Sequence, residues 1–77
     1  MTPTQSRMAR AALKWSLTDL ATAAKVGRAT VARFELGETV GAASVEAMAK
    51  ALSDAGAKFA QRADRVSVSV PARENEG

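Results

Sequence analysis

Up to Gly56 the apolar positions recur every three or four residues, the period of an amphipathic helix; beyond Phe59 they alternate, the period of a strand. The clearest stretch is Ser16–Gly37, SLTDLATAAKVGRATVARFELG. Ser16 with Asp19 three residues later resembles a capping box, and Leu17, Leu20, Ala21 and Ala24 mark the apolar face of a helix over residues 16–24. A turn over Lys25, Val26 and Gly27 leads into a helix from about Arg28 to Leu36, with Val31 and Phe34 facing inward. Gly37 supplies the left-handed residue that ends it. Lys25 stands where such turns favour glycine, and a left-handed non-glycine residue costs roughly 1–2 kcal/mol. A turn of slightly different geometry is the preferred expectation, over a strained residue retained for a phosphate contact.

A helix precedes this stretch and another follows it. Thr2 caps the first, Pro3 suits its first position, and Gln5 can reach back to complete a capping box. That helix should run to about Lys14, with Met8, Ala12 and Leu13, joined by Ala9 and Ala11, on its core face. Trp15 reads as a partly buried anchor. Glu38 to Ser44 is expected as a loop containing Gly41, followed by a helix from Ala43 or Ser44 to Ala55 that is ended by Gly56. Val45, Met48, Ala49 and Leu52 form its inward stripe. The chain then changes character. Arg65–Val70 alternates as a strand, and Lys58–Gln61 is its expected partner, with Phe59 turned toward the helices; Arg62, Ala63 and Asp64 connect the two. A helix over 57–64 competes with that reading. Pro71 stops the strand, and residues 72–77 are expected as a disordered tail. The organisation is therefore a helical domain over 1–56, a β extension over 57–71 and the tail.

Seventy-seven residues without cysteine give a small core that no disulfide reinforces. Association with a second copy is the expected remedy. The Val66, Val68 and Val70 face, which needs cover, is the candidate dimerisation surface, and the fourth helix is the alternative. The net charge is +3, and residues 1–40 hold all of the excess, with six Lys/Arg against three acids. That placement suits a phosphate-bearing partner, although so small an excess also fits an ordinary solvated surface. Without His, Cys or Tyr, no nucleophile has a base partner and no metal cluster is visible, so an enzyme, a metal or a cofactor is not expected. No apolar run is long enough to span a membrane or to serve as a secretory signal, which points to the cytoplasm.

Two helices joined by a tight turn form a helix-turn-helix, whose second helix can enter a DNA major groove. Arg28 lies at the end of that helix that reaches base edges, Arg33 lies five residues on, and Ala29 is small enough for close approach. Double-stranded DNA is thus the expected partner, with Arg28, Ala29 and Arg33 facing bases. Ser16, Thr18, Lys25, Gly27, Thr30 and Thr39 are the candidate phosphate contacts, through side chains or helix-start N–H groups.

The motifs TPTQSRMARAAL, WSLTDLA, VGRATVARFELG and SVEAMAKALSDAGAKF, in this order and spacing, resemble the Cro/repressor-type helix-turn-helix proteins of bacteria and phages, the Xre family. The resemblance covers residues 2–60. It implies a mainly α bundle of four or five helices, here with a short C-terminal strand or hairpin, that binds operator DNA as a dimer and reads it with the third helix. It also implies that Arg10 and Glu35 form a pair bridging the first helix to the end of the third, and that Arg10 touches phosphate. Leu17 departs from a frequent glutamine, Lys14 and Lys25 from frequent glycines, and Gly27 from a frequent serine cap. A sequence-specific repressor is the function implied. The alternative is an antitoxin or other interaction module that grips a small protein partner, such as a toxin, with its strand and tail and keeps DNA binding for autoregulation.

Overall fold

The computed structural model describes residues 1–62 and 65–70, with side chains omitted at 60–62, 65–67 and 69. The expected connection at Ala63 and Asp64, the stop at Pro71 and the 72–77 tail lie outside the described residues, as does the side chain of Val66. Four helices come first, α1 (Pro3–Leu13), α2 (Leu17–Ala24), α3 (Arg28–Glu35) and α4 (Ala42–Asp54). Two antiparallel strands follow, β1 (Lys58–Arg62) and β2 (Arg65–Ser69), which settles the choice between strand and helix after Ala57 in favour of the strand.

Local chemistry sets the helix starts. Thr2 and Gln5 form the capping box of α1, and Ser16 and Asp19 that of α2, each a reciprocal pair of side-chain bonds to backbone N–H groups. Gly41, expected inside a loop, instead occupies the N-cap of α4, so that helix begins a residue or two early.

All four helices end in one pattern, in which a left-handed residue and its successor donate back to two carbonyls of the last turn. Gly37 (φ 92°) and Gly56 (φ 105°) take that position after α3 and α4 without steric penalty. Lys14 (φ 60°) and Lys25 (φ 59°) take it after α1 and α2. The expectation that the Lys25 turn avoids the left-handed region is therefore corrected. Two capping bonds there, Lys25 N to Thr22 O at 3.3 Å and Val26 N to Ala21 O at 3.0 Å, hold the residue in place against the strain.

Lys25→Gly should relieve the roughly 1–2 kcal/mol of left-handed strain while returning part of it as extra freedom of the unfolded chain. A net gain on the order of 0.5–1 kcal/mol is expected, read as a higher urea midpoint. A lower midpoint would show that the lysine side chain itself holds the turn.

The core unites Ala9 and Leu13 of α1, Leu20 and Ala21 of α2, Val31 and Phe34 of α3, Met48, Ala51 and Leu52 of α4, and Ala57. In α1 the inward face is rotated from the expected one. Gln5, Ser6, Ala9 and Leu13 are buried, whereas Met8, Ala11 and Ala12 are exposed. In α4, Ala51 replaces Val45 and Ala49 among the buried positions, and the latter two are half-buried. Trp15 packs on the core as a partly buried anchor.

The hairpin pairs Phe59 with Val68, and β2 lies against α1. Phe59, Val68 and Val70 pack on the core. The valine face expected to need a partner chain is thus covered, at Val68 and Val70, by the helices of its own chain. What a two-stranded sheet still leaves open is one backbone edge on each strand.

Candidate nucleic-acid interface

Because α3 buries Val31, Phe34 and Glu35, its opposite side must face outward. Arg28, Ala29 and Arg33 are all exposed there. Five residues separate the two arginines, which is roughly 140° around the axis and ~7.5 Å along it. They therefore flank one strip of helix surface, and small Ala29 and half-buried Ala32 on that strip leave room for another body to come close. Leu36, 77% exposed, prolongs it past the end of the helix. Leu36, Ala32 and Leu17 of α2, together with Arg7, Arg10 and Glu35, line a notch of about 370 Å³.

One buried carboxylate ties this strip to the rest of the fold. Glu35, the last residue of α3, is 5% exposed. Its Oε1 accepts from Arg10 Nη2 at 2.7 Å, and its Oε2 accepts from Arg10 Nε at 2.8 Å and from Ser6 Oγ at 2.6 Å. Arg10 Nη1 donates to the Trp15 carbonyl at 3.0 Å, and the Arg7 guanidinium donates to the Glu35 carbonyl. Burial pushes the Glu35 carboxyl up, but the hydrogen bonds from Arg10 and Ser6 and the charges of Arg10 and Arg7 outweigh it, leaving the group below the ordinary carboxylate value. The hydrogen bond to Glu35 raises the Arg10 guanidinium in turn. Such a bridge ties the end of α3 to α1 and restricts the angle between them, because a bidentate guanidinium–carboxylate pair is directional.

The structure brings Arg10 and Glu35 together, and each of the three Arg10 nitrogens donates a hydrogen bond within the protein. Ser16, Thr18, Lys25, Gly27 and Thr39 lie exposed, and Thr30 is half-buried with its hydroxyl near Gly27. The Ser16 N–H is taken by Asp19 Oδ2 at 2.8 Å. The helix-start donors that α2 geometry leaves outside its own ladder are those of Leu17 and Thr18. Gly27 offers α3 no side-chain cap. Lys25 borders a depression shared with α4, beside Lys50 and Asp54, away from the Leu17–Leu36 notch. Sequence reasoning misses Ser6 and Arg7. Ser6 carries no local motif, and Arg7 reads as one more surface cation.

A family model described as helix-turn-helix matches residues 7–53, well over half of the chain and all of α2 and α3. Comparison with curated proteins finds no match. Among the described residues no helix is long and apolar enough to cross a membrane.

Proposed function

Because the chain belongs to the Xre/Cro-type helix-turn-helix family of DNA-binding regulators, a regulatory and not a catalytic family, we propose that it is a sequence-specific repressor acting in the cytoplasm as a homodimer on a palindromic operator. The observation that carries this reading is the outward strip of α3, with Arg28 and Arg33 exposed while Glu35 at its end is locked to α1. Each subunit lays Arg28–Glu35 in one major groove, and Arg28, Ala29 and Arg33 meet base edges. Leu17 and Thr18 N–H groups, the Thr18, Thr30 and Thr39 hydroxyls and Lys25 meet the phosphates on either side. Arg10 is withdrawn from that set and acts through Glu35 on the angle of α3.

A second copy joins along the open edge of the hairpin, and two-fold symmetry then sets half-sites about one helical turn apart. Repression is steric, since the dimer occupies the promoter. Selection of bound fragments from a random-sequence duplex pool tests this. The enriched sequences should be palindromic, and sedimentation should give twice the monomer mass. Enrichment of an unrepeated half-site by a monomer would remove the homodimer. Co-purification with a small protein that a tail deletion loses, while DNA binding is spared, would favour the antitoxin reading.

A further inference from the structure

Ser6 is the one polar residue among the largest fully buried side chains, which are otherwise Leu20, Met48, Leu52 and Val31. A hydroxyl in such a place is unfavourable unless it is hydrogen-bonded, and alanine would serve packing and helix propensity better. Serine inside a helix commonly bonds back to its own preceding turn. Here its Oγ reaches across to another helix and donates to Glu35 Oε2 at 2.6 Å. We propose that Ser6 is a positioning residue for α3: its hydroxyl locks the Glu35 carboxylate in the one rotation that fixes the angle of the DNA-reading strip. This rests on the DNA-binding reading above.

Arg10 by itself cannot fix that rotation. Its two parallel N–H···O bonds to Glu35 resist twist about their own direction, but the pair can still hinge about the line through Oε1 and Oε2. Ser6 sits one turn earlier on α1, ~6 Å along its axis from Arg10. Its bond meets Oε2 from a second point on the helix and opposes the swing. Leverage makes small angles matter. Arg28 lies seven residues before Glu35, ~10 Å along α3, so a 10° tilt about Glu35 moves the Arg28 backbone roughly 2 Å. Recognition geometry tolerates on the order of 0.5 Å and 10–20°. Among the described residues the charged groups that act on Glu35 are Arg10 and Arg7, both on α1.

The test uses the full chain, with the duplex that the wild type enriches from a random pool and the unselected pool itself as probes. Ser6→Ala, checked for intact helix content, should lower the ratio of enriched to unselected affinity roughly tenfold, the scale of one hydrogen bond to a charged group. Affinity for the unselected pool should hold. The Glu35 side-chain carboxyl, followed by NMR without DNA, should titrate at higher pH in Ser6→Ala than in wild type. Ser6→Cys keeps a donor, weaker and somewhat larger, and should fall between the two in both readouts. Equal losses on both probes, or an unmoved Glu35 titration, overturns the proposal. A wild type that enriches no sequence removes the DNA reading, and with it the purpose given to Ser6, whereas the Glu35 titration still reports separately on the contact.

Discussion

Arg10→Met is expected to destabilise the fold by about 3 kcal/mol at neutral pH, the low end for a broken buried ion pair because Arg10 remains partly solvated. The loss arises from Glu35, left charged at 5% exposure with only Ser6 donating to its side chain. Methionine keeps much of the apolar stem, so packing changes little. Against the ~4–12 kcal/mol expected for a chain of this length, the loss is a large fraction of the total. The effect should depend on pH, with a definite sign. In the wild type Glu35 lies below its ordinary value, so its contribution is present above that value and fades as pH falls through the folded-state value. In the variant, burial without Arg10 pushes the same carboxyl up, and protonation below that raised value relieves it. The two stabilities should converge on acidification. Urea midpoints at pH 7 and pH 4 measure this, and a gap of constant size would show that the bridge is not what holds α3.

The same carboxylate explains where sequence reading succeeds and where it stops. Helix starts and ends are written in neighbouring residues: Thr2 with Gln5, Ser16 with Asp19, Gly37 and Gly56 are local signals, and the structure uses each of them. Hydrophobicity ranks Met8 and Ala12 of α1 above Gln5 and Ser6, yet the latter two point inward. They can do so because their partners exist, the Thr2 N–H for Gln5 and Glu35 for Ser6. A partner twenty-nine positions away leaves no trace in periodicity. Burial of Glu35 is likewise invisible in its own helix; only the family resemblance paired it with Arg10. The strand alternation after Phe59 was legible for the same reason as the caps, being local. Which surface would cover the valines was not, because that depends on how β2 docks on α1. Lys25 shows a third limit: propensity disfavours a left-handed lysine, but two capping hydrogen bonds and the packing of both flanking helices outweigh a penalty of roughly 1–2 kcal/mol.

Arg28→Ala and Arg33→Ala should each weaken binding to the enriched duplex by about 1–3 kcal/mol, while affinity for the unselected pool falls far less. Each guanidinium can donate two hydrogen bonds to guanine O6 and N7, and alanine leaves those acceptors facing a space that water fills poorly. With the two side chains ~7.5 Å apart along α3, each should govern a different base pair. Repeating the selection with each variant should therefore relax one position of the half-site and leave the others sharp. The double variant should lose close to the sum of the single losses, since the sites share no partner. Lys25→Ala should behave oppositely, weakening all sequences alike and making the affinity less steep in salt by about one phosphate contact. If Arg33→Ala instead behaved as Lys25→Ala is expected to, Arg33 would be a phosphate clamp, and base reading would have to rest on Arg28 and Ala29 at the other end of the helix.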